Sequence, residues 1–106
     1  MGNWYIYILR CKDDSLYTGI TNNIQKRYEK HKSGNGAKYT KIKGVKKMEI
    51  IFLSKNRSEA SKIEYILKKK TKKNKEILIT EEKERIEFIK NIEKKYKMQI
   101  VECVEK

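Results

Sequence analysis

The sequence contains no proline, one histidine and two cysteines, Cys11 and Cys103, among its 106 residues. Because proline is absent, no predicted helix or strand is interrupted by a residue that lacks a backbone N–H. The cysteines do not have the ligand spacing of a zinc site, and the lone histidine cannot complete one. Since the sequence also shows no signal peptide, we expect a reducing, cytoplasmic environment, with Cys11 as a small buried residue.

Long apolar runs are also missing. No apolar stretch approaches the roughly 20 residues needed to span a membrane, so we expect no membrane association. The chain length allows one domain with one modest core. Neither internal repeats nor flexible linkers appear.

Acidic residues are scarce relative to basic ones, with 14 Asp and Glu against 27 Lys and Arg, and the formal net charge is +13. This excess favours a polyanionic partner, of which nucleic acid is the commonest for a soluble protein of this size. The alternative is a lysine-rich but ordinary surface. Charge alone does not choose between these interpretations.

The N-terminal segment predicts a β-hairpin. Residues 4–11 (WYIYILRC) and, more loosely, residues 15–21 (SLYTGIT) are β-branched and aromatic runs separated by a short polar break. A two-residue loop would place Tyr7 and Tyr17 on opposite faces of the hairpin. An odd loop, which pairs residue 11 with residue 15, would place them on the same face. Both faces carry apolar residues and we expect both to be covered, with Gly19 allowing a close approach.

A helix is predicted from the capping residues Asn22 and Asn23 to about residue 31. Four residues share one stripe of it, roughly 100° wide: Ile24, Arg27, Tyr28 and His31. An arginine and the only histidine are unusual on such a stripe. The simplest interpretation is an arginine whose charged head reaches solvent and a histidine satisfied in the core.

The segment 32–44 is rich in glycine and lysine and is predicted to be a loop. It contains cations beside an aromatic residue: Lys38, Tyr39, Lys41 and Lys43. This mixture suits contact with a phosphate backbone, although a mobile, solvated loop has the same composition. Residues 47–53 (KMEIIFL) then predict a third strand that is central and largely buried.

A second long helix is predicted over about residues 59–70, with Ser58 as its N-cap. Its buried stripe is formed by three apolar residues: Ala60, Ile63 and Leu67. Glu64 falls within this stripe. It is either an edge residue that reaches solvent or a carboxylate held there for a purpose. Residues 77–79 predict a short helix packed on the core.

The C-terminal part of the chain predicts an amphipathic helix from the N-cap Thr80 to about Lys97, with Glu81 and Glu82 near its positive end. Its apolar side is formed by Ile86, Phe88, Ile89, Ile92 and Tyr96. Residues 98–104 (MQIVECV) predict a strand, or a segment that binds a partner or a second copy. The oligomeric state stays open.

The ordered set of these residues resembles the GIY-YIG nuclease domain, in particular its small stand-alone bacterial members. Tyr5-Ile6-Tyr7 stands where the family has Gly-Ile-Tyr, and Tyr17-Thr18-Gly19 stands where it has Tyr-Ile-Gly. Each tripeptide differs from the motif at one position. Further matches are the spacing of Arg27 and His31, the segment Gly34-Asn35-Gly36-Ala37-Lys38-Tyr39-Thr40, and Glu64. The resemblance extends from about Trp4 to Ile79.

The resemblance implies an α/β fold in which a small central three-stranded antiparallel sheet is flanked by helices. It places a nuclease domain at residues 1–79. Residues 80–106 are then a C-terminal extension with an extra helix and, from the pattern above, a terminal strand.

The resemblance also implies a metal-dependent endonuclease that hydrolyses DNA phosphodiester bonds, with structure-selective cleavage in repair or recombination as one expectation. Glu64 would bind one Mg²⁺ or Mn²⁺, an ion that keeps most of its waters. Arg27 would clamp the scissile phosphate. The general base is assigned to Tyr17, with Tyr7 and His31 in support.

Some family members carry a lysine where this chain has Ile20, so the chain departs from the family pattern beside the assigned base. The alternative function is a non-catalytic nucleic-acid-binding module on the same fold, and a third is a small basic interaction protein. Binding requires lysines but not a carboxylate on a buried stripe, so Glu64 favours the enzyme.

The charge excess predicts that phosphate contacts dominate binding to duplex DNA. The logarithm of the association constant should fall linearly with the logarithm of salt concentration, by about 0.9 for each phosphate contacted, between about 50 and 200 mM salt. Anisotropy titrations of a labelled duplex measure this slope, which we expect to be several units. A nearly flat dependence would contradict the assignment of the cationic surface to DNA.

Overall fold

The computed structural model describes residues 3–103, so Val104, the last residue of the predicted terminal strand, lies outside them. The elements in chain order are β1 (Trp4–Cys11), β2 (Leu16–Thr21), α1 (Ile24–Lys32), α2 (Lys38–Lys43), β3 (Val45–Ser54), α3 (Arg57–Lys68), α4 (Lys72–Thr80), α5 (Glu82–Tyr96) and β4 (Ile100–Cys103). Among the residues described, no helix is both long and apolar enough to cross a membrane.

The sheet has four strands in the order β2-β1-β3-β4, and all neighbours are antiparallel. The expectation of three strands was therefore wrong. The additional strand, β4, pairs with β3 from Ser54↔Ile100 to Ile51↔Cys103. It lies beyond the segment covered by the resemblance. The chain reaches it because Lys97 ends α5 in a left-handed conformation, with φ of 54°.

The hairpin between β1 and β2 has the odd turn. The Cys11 N–H donates to the Ser15 carbonyl at 2.8 Å, and Tyr7 lies opposite Gly19 in the ladder. Residues 17 and 19 share a face of β2, so Tyr7 and Tyr17 point to the same side of the sheet. Of the two loop lengths that the sequence allowed, the structure has the one that brings the phenols together.

One face of the sheet holds the hydrophobic core. Ile6 and Ile8 on β1 pack there with Phe52 on β3, under α3 and α5. The stripe predicted for α3 is confirmed, since each of its members is fully buried: Ala60, Ile63 and Leu67. The opposite face carries Tyr7 and Tyr17 under α1 and α2. Both faces of the hairpin are covered, as expected.

Two expectations about the middle of the chain were wrong. The segment 32–44 is not all loop, because residues 38–43 form α2, capped by Gly44 with φ of 76°. The N-cap of α3 is Asn56 rather than Ser58, since the Asn56 side-chain oxygen accepts from the Glu59 N–H at 2.9 Å. An asparagine caps as well as a serine does, and it stands two residues earlier.

The C-terminal helix also starts later than expected. Thr80 is the last residue of α4, and Glu81 occupies the N-cap of α5 without a side-chain hydrogen bond. The buried side of α5 is formed by Phe88 and Ile92, whereas Ile86 is 43% exposed. The Phe88 ring packs against Phe52 with centroids 5.7 Å apart, so α5 contributes to the main core.

The packing of α5 and β4 predicts the result of ending the chain after Ile79. This truncation removes four buried apolar residues from the core: Phe88, Ile92, Met98 and Ile100. Each such side chain contributes about 2–5 kcal/mol, and a whole domain is stable by only about 5–15 kcal/mol. We expect residues 1–79 to show no cooperative thermal unfolding by circular dichroism.

A chain ended after Cys103 is the control, because it keeps every described element, and it should melt as the parent does. If residues 1–79 unfold cooperatively near the parental temperature, the C-terminal segment is only an appendage. The boundary between residues 79 and 80 would then separate an independent domain from its extension.

Candidate active site

Tyr7, Tyr17 and His31 form a cluster on the face opposite to the hydrophobic core. The ring centroids of the two tyrosines are 6.4 Å apart. The His31 ring lies 5.7 Å from Tyr7 and 5.4 Å from Tyr17. The odd hairpin turn aligns the tyrosines. α1, capped by Asn23, then brings His31 to them two turns later.

The Tyr7 hydroxyl and the His31 Nε2 atom form a hydrogen bond of 2.8 Å. Both residues are only 1% exposed. Gly19 makes room for the hydroxyl, because a Cβ atom at this position would lie 2.4 Å from the Tyr7 Oη atom. Any side chain at residue 19 would therefore displace Tyr7.

Both members of this pair are uncharged at neutral pH. Burial, together with the nearby Arg27 cation, lowers the pKa of His31 to about 4. Burial raises the pKa of Tyr7 to about 12, although the Arg27 guanidinium opposes this shift. A neutral imidazole has one ring nitrogen without a hydrogen, and this nitrogen can accept a hydrogen bond from the phenol.

Arg27 lies beside the two phenols. The pKa of the Arg27 guanidinium is raised above its ordinary value, mainly by the nearby hydroxyl of Tyr7 and to a smaller extent by Tyr17. The Nε atom is buried and has no hydrogen-bond partner among the residues described. A buried donor of this kind is costly unless a ligand or water satisfies it, so the guanidinium has capacity for an anionic oxygen.

Glu64 extends from α3, which packs against β2 as well as β1. Its negative charge contributes to the raised pKa of Tyr7, which places the carboxylate near the phenols. The side chain is 22% exposed, and its Oε2 atom lies 3.2 Å from the Lys68 Nζ atom one turn along the helix. The carboxylate expected from the sequence is thus near the cluster, paired with a surface ammonium.

The donor set near the phenols fits one kind of metal ion. No group of three or more His, Cys, Asp or Glu side chains in residues 3–103 could hold a metal. A site built only from protein ligands is therefore not present in that part of the chain. A single carboxylate is sufficient for Mg²⁺, which often takes one protein oxygen, substrate phosphate oxygens and several waters. Glu64 is the residue that would hold it.

Helix α2 brings the predicted nucleic-acid-binding residues to the edge of the cluster. Tyr39 stacks on Tyr17 with centroids 5.8 Å apart and is 39% exposed. Lys38 and Lys41 are exposed beside it. Lys43 pairs with Asp13 in the hairpin turn, with its Nζ atom 2.8 Å from the carboxylate. The cationic segment is therefore a folded helix attached to the site.

Two features were not found by reasoning from the sequence. A cavity of about 210 Å³ beside Arg27 is lined by Lys26 and Lys30 together with the polar residues 21–23. The spacing of the two lysines, one helical turn apart, could have indicated it. The other is Thr40, a buried threonine whose hydroxyl contacts His31 at 2.7 Å. Thr40 ends the segment that matches the family, but nothing in that match indicated its contact with His31.

The sequence profile of the GIY-YIG catalytic domain matches residues 3–77. A UPF0213 protein of Fusobacterium nucleatum is 46% identical over 91 residues, which cover 86% of this chain and 91% of that protein. A UPF0213 protein of Clostridium perfringens is 49% identical over 76 residues, which cover 72% of this chain and 82% of that protein. A UPF0213 protein of Bacillus halodurans, whose structure was solved by solution NMR, is 41% identical in sequence. The match covers 74% of this chain and 83% of that chain, with a TM-score of 0.48.

The buried, neutral His31 predicts a pH dependence of the free energy of unfolding. Between pH 6.5 and about 4, the unfolded state binds a proton on His31 that the folded state does not. The free energy of unfolding should therefore fall as the pH is lowered through this window, by up to about 1.4 kcal/mol per pH unit. Urea denaturation at several pH values between about 7 and 4.5 measures this slope.

His31→Gln is the matched variant, because it removes the titrating group and keeps a polar side chain. The difference between the parental and variant slopes isolates His31 from carboxylates such as Glu76, whose pKa is lowered to about 2 mainly by Arg10. In the unfolded state this carboxylate titrates near 4.5, at the lower end of the window, and its contribution is the same in both chains. Equal slopes for the two chains would contradict a neutral, buried His31.

Proposed function

This chain belongs to the GIY-YIG catalytic domain family, a family of nucleases, and we propose that it is a divalent-metal-dependent endonuclease that hydrolyses DNA phosphodiester bonds. The observation that carries the proposal is the buried hydrogen bond of 2.8 Å between Tyr7 and His31, with the Arg27 cation beside it. Hydrolysis of a phosphodiester requires a base for the attacking water and a counter-charge for the phosphoryl group. These residues supply both.

Tyr7 is proposed as the general base, in place of Tyr17. Tyr7 is hydrogen-bonded to a proton acceptor, the His31 Nε2 atom, whereas Tyr17 packs edge-on against the same imidazole. As a proton moves from water to the Tyr7 oxygen, the phenolic proton moves to Nε2, so a free phenolate need not accumulate. Tyr17, which is partly exposed, orients the attacking water.

Arg27 is proposed to bind the scissile phosphate. Its guanidinium lies beside both phenols, and its buried Nε atom has no acceptor within residues 3–103. A planar guanidinium can donate two parallel hydrogen bonds to phosphate oxygens. These bonds strengthen as negative charge develops in the transition state, which lowers the barrier.

Glu64 is proposed to hold one Mg²⁺ or Mn²⁺. When bound, the ion supplies positive charge to the phosphate and to the leaving oxygen. For the metal ion to bind there, the Glu64 carboxylate must release the ammonium of Lys68, whose side chain is 54% exposed. A pair of this kind, one turn apart on a helix and partly exposed, stabilises a protein by about 1 kcal/mol or less, so little free energy is needed to separate it.

Lysines on α1 and α2 are proposed to contact the DNA backbone. Lys26 and Lys30 line the cavity beside Arg27, and Lys38 and Lys41 are exposed on α2. The described strands form one four-stranded sheet. The proposal includes structure-selective cleavage of DNA, in repair or recombination in the cytoplasm.

A nucleic-acid-binding module without turnover is the second candidate, and one contact favours it. The Lys68 Nζ atom lies 3.2 Å from the Glu64 Oε2 atom, so an internal cation already neutralises the carboxylate. If this pair persists on DNA, the lysines bind the substrate while the site stays inactive. Only the endonuclease depends on the charge of Glu64, which separates the two candidates.

Glu64→Gln tests the proposal, because it keeps the shape of the side chain and removes the charge. We expect it to abolish cleavage in Mg²⁺ and Mn²⁺ and to leave DNA affinity and melting temperature nearly unchanged. The assay uses labelled single strands, duplexes, nicked duplexes and branched DNA, with binding and melting measured on the same samples. Glu87→Gln, an exposed carboxylate on α5, is the matched control and should cleave as the parent does.

The same assay tests whether Arg27 binds the scissile phosphate. Arg27→Ala should slow cleavage by about 10²–10³-fold, the effect typical of losing a preorganised donor. Arg27→Lys should restore little, since a point charge does not replace a planar fork. Lys26→Ala, the matched loss of charge next to Arg27, should weaken binding slightly and leave the rate at saturating protein unchanged.

Two results would contradict the proposal. Cleavage by Glu64→Gln at the parental rate would place the activity elsewhere, in another site or a contaminant. A parent that binds DNA well and cleaves no substrate in either metal would support the binding module instead.

A further inference from the structure

Thr40 makes two hydrogen bonds in the interior, below the phenols. Its Oγ1 atom lies 2.7 Å from the His31 Nδ1 atom and 3.0 Å from the Ala37 carbonyl oxygen. Thr40 is 1% exposed, as is His31. The two nitrogens of the imidazole therefore have different partners, Tyr7 at Nε2 and Thr40 at Nδ1.

The number of hydrogens available determines which atom donates and which accepts in each of these hydrogen bonds. A threonine hydroxyl has one hydrogen, and the Ala37 carbonyl can only accept. When Thr40 donates to Ala37, its oxygen must accept from the Nδ1–H of His31. In a neutral imidazole the Nε2 atom then carries no hydrogen and accepts from the Tyr7 hydroxyl. Each donor in the series Tyr7, His31 and Thr40 then has an acceptor.

The opposite tautomer satisfies this network less well. With the hydrogen on Nε2, Tyr7 would have to accept, and its own hydrogen would need another acceptor. Arg27, the group besides His31 that lies within hydrogen-bonding reach of this hydroxyl, can only donate, and Glu64 acts on it through charge alone. A buried hydroxyl hydrogen without an acceptor is unfavourable, so the network selects the tautomer protonated at Nδ1.

We propose that Thr40 is a positioning residue that holds His31 in the Nδ1-protonated tautomer, so that Nε2 can take the proton of Tyr7. In the reaction, a proton leaves water for the Tyr7 oxygen while the phenolic proton passes to Nε2. The resulting imidazolium donates from both nitrogens, to Tyr7 and to Thr40. This inference rests on the proposed function for its effect on cleavage, but not for its effect on the tautomer.

The backbone before α2 is shaped to make this contact. At Gly36 a Cβ atom would lie 2.5 Å from the His31 Nδ1 atom and 3.0 Å from its Cα atom. Any side chain would therefore push the connection between α1 and α2 away from the imidazole. The glycine allows the chain to pass directly over the ring, and α2 then begins at Lys38 with Thr40 in its first turn.

The experiment uses the fact that His31 is the only histidine in the chain. In protein labelled with ¹⁵N-histidine, the two ring nitrogens give an unambiguous readout of the tautomer at neutral pH. We expect the parent and Thr40→Ser to show a protonated Nδ1 and an unprotonated Nε2. Thr40→Val, which keeps the shape and loses the hydroxyl, should shift the ring towards the other tautomer or a mixture.

Cleavage provides the second readout. Thr40→Val should slow single-turnover cleavage by about 10–100-fold, by analogy with the loss of the hydrogen-bond partner that orients a metal-binding histidine, and Thr40→Ser should restore most of it. Thr80→Val is the matched control, because the Thr80 hydroxyl also donates to a helix carbonyl, that of Glu76 at 3.1 Å, away from the site. It should change neither readout.

The two readouts separate failure of this inference from failure of the proposed function. A parental ring protonated at Nε2, or a Thr40→Val ring identical to the parental one, would overturn the role of Thr40. If no chain cleaves DNA, the proposed function fails while the spectra still decide the tautomer. Thr40→Ala replaces Thr40→Val if circular dichroism shows that the valine variant is unfolded.

Discussion

The hydrogen bond between Tyr7 and His31 is the contact on which the rest of the site depends. Both residues are buried, so neither polar group can be satisfied by bulk solvent. The bond forms only because the hairpin turn is odd and because Gly19 leaves space for the phenol. Gly36 leaves equivalent space for the imidazole on its other side. Local backbone requirements in three separate segments thus converge on one contact.

Much of this arrangement could be predicted because it follows from local rules. The pairing of residues 11 and 15 was one of two loop lengths that the sequence allowed, and each length fixed where Tyr7 and Tyr17 point. The capping asparagine and the helical period placed His31 on the stripe that faces the sheet. These steps need only the geometry of a hairpin and a helix, which the sequence encodes within a few residues.

The remaining features depend on contacts between distant parts of the chain. α2 has only six residues in a segment rich in glycine and lysine, so it lacks the apolar periodicity of a longer helix. Residues 98–104 predicted a strand, but no local pattern reveals that this strand pairs with the edge of β3 and extends the sheet. The ion pair of Glu64 with Lys68 and the contact of Thr40 with His31 are likewise visible only in the folded chain.

Removal of a single oxygen atom tests most directly whether the Tyr7–His31 pair performs the chemistry. Tyr7→Phe deletes the proposed base, keeps the buried ring and removes a buried hydrogen bond worth about 1 kcal/mol. We expect its single-turnover cleavage in Mg²⁺ to fall by about 10²–10⁴-fold, with DNA affinity unchanged, and Tyr17→Phe to lose less. Cleavage by a folded Tyr7→Phe at the parental rate would contradict the assignment of this pair as the catalytic base.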